Sequence, residues 1–461
     1  MGAHDITRGT ARDTPVGRGL HTEPDTEPDT EPDLAGAAGA AGVSLGVEEE
    51  FLLVDAVSGE CVPHADDVLG RAGRHRWQGS GGSFHAELLA SQVEAATGVC
   101  HDLAGLRAQL RYGRARLAEA ARAGGALLVA SGTPVLDGRP PPAARGERFA
   151  AIVAAYGDVV EDYQACGCHV HVGVPDRDTA VAVVNHLRPW LPVLLALSVN
   201  SPFDHGRRTR YAGRRMVEMA RFPGAGVPPW SASAADYDAR VATLVESGVL
   251  VDAAMTFWLA RPSPRWPTVE VRAADTAATA DEAVLQAALV RGLVAAALED
   301  LAAGREAPPV DGQVCAAALW NAARHGLDGP MADPVTRRAV PAWRLVDALI
   351  ARAGPALERA GDLDAVFTLV EGVRRAGTGA DRQRRAARRD GPRAVVEALA
   401  RQTESGGLPA PSADMPSDVP GETAGDVAGV LGGAAADLSP TYGEEPGVWD
   451  AGERVPEPDV P

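Results

Sequence analysis

The sequence contains no lysine, so all 44 of its basic residues are arginines. A Walker-type phosphate loop, the ATP-binding lysine of protein kinases and a Schiff-base lysine each need a primary amine. These three kinds of site are therefore excluded. Any phosphate that this protein binds must be held by arginine, by backbone amides or by a metal ion.

Cysteine is also sparse, with five residues in a chain of 461. An odd and scattered set does not make a disulfide framework. The N-terminus lacks an apolar signal segment, and the most apolar helical stretch, residues 283–301, is interrupted by Arg291. We therefore expect a cytoplasmic protein that does not enter the membrane.

Negative charge is concentrated at the two ends of the chain. Residues 1–44 hold eight acidic and three basic side chains, and residues 411–461 hold eleven acidic and one basic. Such segments have little to bury, so we predict disordered acidic tails at 1–44 and 406–461 around one catalytic domain at 45–405. The central domain is close to neutral, which argues against a nucleic-acid partner.

Residues 45–55, L-G-V-E-E-E-F-L-L-V-D, place three consecutive carboxylates inside an apolar, strand-like run. Side chains two apart on a strand point the same way, so Glu48 and Glu50 share one face. Anions held this close repel one another, and a bound divalent cation is a common remedy. The alternative is an ion-paired edge strand.

Two later runs repeat this design. Residues 166–174, C-G-C-H-V-H-V-G-V, put valines on one face and His169 and His171 on the other. Residues 267–275, P-T-V-E-V-R-A-A-D, do the same with Glu270 and Arg272. Converging the three strands would supply carboxylate and imidazole to a hard divalent cation and a guanidinium to a phosphoryl oxygen. That combination suits phosphoryl transfer.

Each of these features has a structural alternative. The two histidines could form a satisfied core pair, and Glu270 with Arg272 could be an ordinary ion pair. Glu87 and Glu94 could be surface positions of an amphipathic helix. Cysteines 166 and 168 precede a histidine, but C-x-C-H lacks the spacing of a structural zinc site.

The remaining pattern is mainly helical. It predicts helices at 103–123, 145–163, 178–199 and 236–247, strands at 126–130 and 255–260, a long loop at 200–233, and a helical last third at 281–402. Asp102 is the expected N-cap of the first of these helices, which should stop at Gly124 and Gly125.

Taken together, several motifs resemble the carboxylate-amine ligases related to glutamate-cysteine ligase, the type 2 group. They are G-V-E-E-E-F-L-L-V-D, S-Q-V-E-A-A-T, C-G-C-H-V-H-V-G-V, N-S-P-F at 200–203, R-P-S-P-R at 261–265, P-T-V-E-V-R-A-A-D and G-T-G-A-D-R-Q-R at 377–384. They occur in order over roughly residues 45–400, and the combination is more specific than any one motif.

The resemblance implies an α+β fold of the glutamine synthetase and guanidino-kinase group. This is a curved, mainly antiparallel sheet with helices on its outer face and a helical C-terminal third. It implies an enzyme that uses ATP and Mg²⁺ to phosphorylate the side-chain carboxylate of glutamate, after which the amine of cysteine attacks the γ-glutamyl phosphate. It also implies a homodimer acting on small-molecule substrates.

Site residues follow from the resemblance by position. The implied metal shell consists of Glu48, Glu50, Glu87, Glu94, His169 and Glu270. The implied catalytic residues, facing substrate or phosphate, are His171 and Arg272. Arg215 and Arg221, in the long loop, match family arginines that hold the acyl phosphate or the acceptor; with Arg272 they make the implied nucleotide-binding set.

The long loop departs from the family pattern. Asp204 and Met219 stand where tryptophan is expected, and Arg207, Arg208 and Arg210 make the segment unusually basic. The resemblance therefore implies the type of reaction and leaves the substrates open. The alternatives are a ligase for another acid-amine pair, a non-catalytic relative that binds nucleotide or glutamate, and a zinc hydrolase using the two histidines and a glutamate.

Overall fold

The structure is a computed structural model that describes residues 44–73, 77, 81–138, 141–144 and 146–408. The two predicted acidic tails lie almost entirely outside these residues. Their disorder, and the domain bounds drawn from it, therefore remain predictions.

Eleven strands occur in the described part of the chain. They are β1 (Leu45–Asp55), β2 (Ser83–Ala86), β3 (Gln92–Ala96), β4 (Ala126–Val129), β5 (Gly167–Gly173), β6 (Phe203–Asp204), β7 (Arg207–Arg208), β8 (Ala260–Pro262), β9 (Thr268–Asp275), β10 (Pro330–Ala332) and β11 (Ala339–Pro341).

Seven of these strands form one antiparallel sheet in the order β2-β3-β1-β5-β9-β8, with β4 pairing the C-terminal half of β1. The long strand β1 is therefore central, not the edge strand of the alternative interpretation. The three strands with paired functional side chains, β1, β5 and β9, are direct neighbours. The sheet thus provides the convergence that the sequence pattern predicts.

The described helices are α1 (Ala65–Ala72), α2 (Leu103–Ala123), α3 (Glu147–Tyr156), α4 (Asp158–Glu161), α5 (Arg177–Leu187), α6 (Leu191–Ser198), α7 (Arg214–Met219), α8 (Ala234–Glu246), α9 (Ala280–Ala302), α10 (Gly312–His325), α11 (Ala342–Ala360), α12 (Leu363–Ala376), α13 (Gly379–Asp390) and α14 (Pro392–Ser405). The C-terminal third is helical apart from the β10-β11 hairpin, as predicted.

Apolar and polar side chains alternate along the strands, so each strand has an apolar face that packs under helices and a polar face. The apolar face of β5, with Val170 and Val172, packs in one large core with Val269 and Val271 of β9. The same core takes in residues along α9, such as Leu289, so this helix covers that face of the sheet. Burying these side chains stabilises the domain by roughly 25 cal/mol per Å² of apolar surface. The opposite face of the three strands is left for the charged pairs.

Several predicted boundaries are confirmed and others are wrong. The Asp102 side chain accepts a hydrogen bond from the Gly105 amide and caps α2, which ends before Gly124. The single helix predicted at 145–163 is broken at Gly157, whose φ of +50° favours glycine. The predicted 178–199 helix is likewise two helices, because the chain bends between α5 and α6 just before Pro192.

The region around β8 also differs from the prediction. The strand expected at 255–260 begins only at Ala260, because residues 253–255 form a 3₁₀ turn capped by Asp252. The predicted helical alternative for Glu87 and Glu94 is wrong as well, since Glu94 lies on β3 and Glu87 directly follows β2. The predicted long loop contains β6, β7 and α7.

None of the described helices is by itself long and apolar enough to cross a membrane. The pair α5 and α6 passes the same test of length and composition only when the two are joined, and they meet at an angle of 68°.

Candidate active site

The register of the sheet sets the charged side chains side by side. Glu48 of β1 pairs with His169 of β5, and His171 pairs with Glu270 of β9. On the other side of β1, Glu50 pairs with Glu94. Because directly paired residues project to the same face, these groups form one continuous row across the strands.

Glu48 lies between the two histidines. Its carboxylate oxygens are 3.4 Å from Nδ1 of His169 and 3.3 Å from Nε2 of His171, and Nε2 of His169 is 3.6 Å from Oε1 of Glu50. Burial disfavours the charged form of Glu48, but the two imidazoles outweigh burial and hold the pKa of this carboxyl far below its usual range. Glu48 is therefore an anion at neutral pH.

The pKa values of the two histidines shift in opposite directions. Burial and the positive charge of Arg272 lower the pKa of His169, so its imidazole is neutral near pH 7. Burial also opposes the charged form of His171, but the neighbouring carboxylates of Glu48 and Glu270 raise its pKa. Nδ1 of His171 lies 3.0 Å from the Thr268 hydroxyl, which orients the ring.

Two buried imidazole nitrogen atoms at this site have no hydrogen-bond partner among the described residues. They are Nδ1 of His169 and Nε2 of His171, and both are directed toward Glu48. A buried, unsatisfied polar atom costs free energy and needs an explanation. A ligand or metal ion held between the imidazoles and the carboxylate would provide one.

A second acidic group lies on the β3 side of β1. Burial and the nearby Glu50 carboxylate raise the pKa of Glu87 to about 8. Burial and the charge of Glu87 raise the pKa of Glu94 well above its usual range. Three carboxylates this close cannot all be ionised without a compensating cation.

Three overlapping sets of ligand atoms can each hold a metal ion. Within each set, one oxygen or nitrogen atom per residue lies within 4.8 Å of the others. The sets are Glu48 with His171 and Glu270; Glu48 with Glu94 and His169; and Glu50 with Glu87 and Glu94. Oxygen-rich sets with at most one imidazole suit hard divalent cations such as Mg²⁺, so these residues fit the cofactor that the resemblance implies.

Glu270 connects the acidic row to two arginines. Nε of Arg261 is 2.8 Å from its Oε2, and Arg272 pairs with its Oε1. Burial opposes ionisation of Glu270, but the charges of Arg272 and Arg261 outweigh it and hold the pKa of Glu270 far below its usual range. The arginine-rich end of the row can meet the oxygen atoms of a phosphate.

Arg261 is a site residue that the sequence reasoning missed. It is paired with Glu270 in the β8-β9 register and is also held by the Thr256 carbonyl at 3.0 Å. The R-P-S-P-R motif at 261–265 was the available signal. Its role depends on a three-residue strand that is too short to show alternation.

The two arginines of the long loop have different surroundings. Arg215 is buried with its guanidinium against Gly167, where a Cβ atom would lie 2.7 Å from Cζ of Arg215. It lies 3.4 Å from the Arg272 carbonyl, next to the site. Arg221 is instead paired with Asp162 and Glu218, each at 2.7 Å, so carboxylates already satisfy it.

The third carboxylate of the E-E-E run belongs to the opposite face. Glu49 and Arg114 of α2 form a buried pair with contacts of 2.9 and 2.5 Å, and each is 1% exposed. The guanidinium also donates to the Ala277 and Ala278 carbonyls. Glu49 is therefore a structural residue.

The two cysteines beside the histidines do not contribute ligands. Cys166 and Cys168 are fully buried, and burial raises the pKa of each thiol well above its usual range. In the metal-free protein both thiols are therefore protonated at neutral pH. The described candidate metal sets contain only glutamate and histidine.

The six predicted metal ligands thus lie together on one face with Arg272. His171, predicted to face substrate, lies within the set formed with Glu48 and Glu270. Arg215 lies beside this face, and Arg221 is engaged by carboxylates beyond it.

Comparison with known proteins identifies the family. Residues 44–407 match the model of glutamate-cysteine ligase family 2. A Saccharopolyspora erythraea protein, provisionally named glutamate--cysteine ligase 2-2, is 56% identical over 79% of this chain and 93% of its own length. A Salinispora arenicola protein, provisionally named glutamate--cysteine ligase 2, is 46% identical over 80% of this chain and 97% of its own length. The chain belongs to glutamate-cysteine ligase family 2.

Solved structures share the fold. A crystal structure of glutamate--cysteine ligase from Francisella tularensis in complex with AMP matches with a TM-score of 0.58 and 14% identity, over 80% of this chain and 90% of that one. A bifunctional glutathione synthetase from Pasteurella multocida matches with a TM-score of 0.57 and 15% identity, over 78% of this chain and 52% of that one. The predicted fold class is confirmed.

Proposed function

We propose that this member of glutamate-cysteine ligase family 2 uses ATP to join the side-chain carboxylate of L-glutamate to the amine of L-cysteine. The products are γ-glutamylcysteine, ADP and phosphate. The F. tularensis neighbour was crystallised with AMP, which supports a nucleotide as substrate. The predicted cytoplasmic location, which rests on the sequence composition, and the predicted homodimer, which rests on the family resemblance, belong to the same proposal.

The observation that carries this proposal is the row of side chains that begins just after β2 and crosses β3, β1, β5, β9 and β8. It changes from an excess of carboxylates at Glu87, Glu94 and Glu50 to an excess of guanidinium at Arg261 and Arg272. Such a gradient suits a metal-bound polyphosphate whose terminal phosphoryl group is transferred near the arginines.

Glu48, Glu50, Glu87, Glu94, His169 and Glu270 would hold the metal, and His171 joins them by position. Mg²⁺, when bound, would neutralise the nucleotide phosphates and orient the transferring group. Before binding, the neutral imidazole of His169 keeps a nitrogen lone pair available. Arg261 holds the Glu270 carboxylate in place through two contacts, at 2.8 and 3.2 Å.

Arg272 would act on the transferring phosphate. Burial opposes its charge, but Glu270 outweighs burial and raises the pKa of Arg272 further above its already high range, so the guanidinium remains charged throughout the reaction. A fixed positive charge beside the transferring oxygen atoms stabilises the charge of the transition state without reorganisation. The guanidinium of Arg215 would help to position Arg272 by donating to the backbone carbonyl of Arg272.

The chemistry then has two balanced steps. A carboxylate oxygen of glutamate attacks the γ-phosphorus of ATP, the bond to the β-γ bridging oxygen breaks, and ADP leaves. The amine nitrogen then attacks the acyl carbon, the carbon-oxygen bond to phosphate breaks, and the amine loses a proton. Phosphorylation is needed because a carboxylate has no good leaving group.

Incubation with ATP, Mg²⁺ and a panel of acid-amine pairs tests the proposal. We expect ADP release that requires both an acid and an amine, with γ-glutamylcysteine identified by mass when the pair is glutamate and cysteine. ADP release with a different acid-amine pair would support a ligase that acts on other substrates. Nucleotide binding without ADP release on any pair would favour the non-catalytic relative.

Metal analysis addresses the zinc alternative. We expect the purified protein to lack stoichiometric zinc and to depend on added Mg²⁺ for ADP release. Stoichiometric zinc together with hydrolytic activity independent of ATP would contradict the ligase proposal.

A further inference from the structure

A cavity of about 870 Å³ lies among the C-terminal helices. Its walls come from residues 208–210 of the long loop, the end of α10, the start of α11, and parts of α12 and α13. None of its lining residues belongs to the carboxylate-histidine row described above. Its volume lies in the range of small-molecule sites.

The walls of this cavity are strongly basic. Two aspartates, Asp328 and Asp381, are set against seven arginines, at positions 208, 210, 324, 374, 384, 385 and 388. Two of the seven belong to the basic stretch of the loop that sequence analysis singled out and that the ligase site leaves unused. The basic stretch of the loop thus contributes two arginines to the wall of this cavity.

Most of this charge has no internal counter-ion. Within the described part of the chain, no carboxylate lies within 4 Å of the guanidinium groups of five arginines, at positions 208, 210, 324, 385 and 388. Asp381 already accepts hydrogen bonds from the Thr378 amide and hydroxyl in the capping box of α13, and it is 3.7 Å from Arg384.

Helical spacing explains why the arginines face the same space. Arg384 and Arg388 are one turn apart on α13, and Arg385 is adjacent. Ala386, on the other side of the helix, packs in an apolar cluster with Val395 and Leu399 of α14. Burial of the face of α13 that contains Ala386 thus orients the opposite face, with its arginines, toward the cavity.

The arginines affect one another. Burial lowers the pKa of Arg384, and the charges of Arg208 and Arg388 add to the effect. Holding several like charges around one cavity costs electrostatic free energy, and a bound anion would recover it. The arginines also present paired N–H donors, whose spacing matches two oxygen atoms of one phosphate.

We propose that this cavity binds a small molecule carrying two or more phosphate groups, at a site separate from the ligase centre. The arginines of the loop and of α13 hold the phosphates. Leu327, Val373 and Trp343 supply an apolar wall on which an organic carrier can pack. Trp343 is itself fixed by Arg374, whose guanidinium lies 4.2 Å from the ring centroid.

The test compares two double variants of the full chain that remove the same charge. Arg208→Gln with Arg388→Gln removes two exposed cavity arginines. Arg207→Gln with Arg389→Gln removes their sequence neighbours, which do not line the cavity and are ion-paired with Asp204 and Asp390. Calorimetry measures binding of inorganic triphosphate and, separately, of fructose 1,6-bisphosphate, at about 0.15 M salt with EDTA present.

We expect one bound anion per chain. The dissociation constant should rise at least about tenfold in the cavity variant and less than about twofold in the neighbour variant, because only the cavity variant loses charge-assisted contacts to the phosphates. Binding of both anions indicates that phosphate alone is recognised, and binding of the sugar bisphosphate alone indicates that the carrier contributes; either supports the site.

Three results would overturn the proposal. One is no binding of either anion by the full chain. Another is an equal loss in the two double variants, which would mark a general electrostatic attraction. The third is binding that Arg272→Ala abolishes while the cavity variant retains it, because the anion would then lie in the ligase site.

Discussion

The carboxylates on the two faces of β1 have opposite electrostatic surroundings. On the helix-covered face, Glu49 is sealed against Arg114 and has two hydrogen bonds from it. On the open face, Glu48 and Glu50 meet Glu94, Glu87 and two histidines whose facing nitrogen atoms lack partners. Of three neighbouring residues of identical type, Glu49 is thus paired with an arginine, whereas Glu48 and Glu50 each belong to a candidate metal-binding set.

This difference shows how a functional carboxylate can be distinguished from a structural one. A buried structural anion is paired with its own cation, because leaving it alone costs several kcal/mol. A cluster of carboxyl groups with raised pKa values, by contrast, is typical of a functional site. The first three predictions below test this contrast.

The largest expected effect is loss of ATP turnover on the open face. Glu50→Gln keeps an oxygen atom that can accept from the Gly167 amide, as Glu50 does at 2.5 Å, but removes the charge. Arg272→Ala leaves Glu270 paired with Arg261. Each should reduce ADP release by about 10³-fold while the protein remains folded by circular dichroism.

Glu60→Gln, at an exposed position just beyond β1, is the matched control and should leave turnover unchanged. Near-normal turnover in Glu50→Gln or in Arg272→Ala would show that the corresponding strand was assigned wrongly.

On the helix-covered face the expected effect is on stability. Arg114→Ala leaves Glu49 buried without a cation and should lower the free energy of unfolding by about 3–5 kcal/mol. Arg116→Ala, on the same helix, breaks a more exposed pair with Glu119 at 2.6 Å and should cost less than about 1 kcal/mol. Urea denaturation measures both, and equal losses would remove the distinction between the two faces.

A smaller effect should appear in the pH dependence of stability. The pKa of Glu87 is raised from 4.5 to about 8. Below pH 4.5 the folded and unfolded states are both protonated. Between pH 4.5 and 8 only the unfolded state releases the proton, so the metal-free protein loses stability as pH rises.

Glu87→Gln should therefore raise the Tm of the metal-free protein relative to wild type at pH 8, by about 3 °C or more, and have little effect at pH 4.5. Mg²⁺ should stabilise the wild type more at pH 8 than at pH 5, because it binds ionised carboxylates. Scanning calorimetry across this pH range measures both. A Tm difference independent of pH would mean that Glu87 is not part of the acidic site.

The smallest expected effect concerns the N-terminal tail. Removal of residues 1–40 should change ADP release by less than about twofold, because a low-complexity acidic segment has little to bury. A large loss of activity would show that the tail takes part in the reaction.

Much of the site was predictable because strand alternation is a local property. The two-residue spacing of Glu48 and Glu50, His169 and His171, and Glu270 and Arg272 places each pair on one face in any sheet. The positions of Glu87 and Arg261 had no such pattern, because Glu87 lies just beyond the end of β2 and Arg261 lies in a strand of only three residues. The break between α5 and α6 had a local signal in Pro189 and Pro192, which the prediction of one helix over 178–199 did not use.

The amino-acid sequence alone determined the chemical groups, the faces on which they lie and the absence of any lysine, because composition and periodicity are properties of the chain. Only the tertiary structure decided which faces meet. The register between β1 and β5 placed Glu48 beside His169. Helix α2, which is distant in sequence, supplied the arginine that pairs with Glu49. The packing of α13 placed its arginines near those of the long loop. Such choices depend on contacts between residues far apart in the chain, and no local pattern records them.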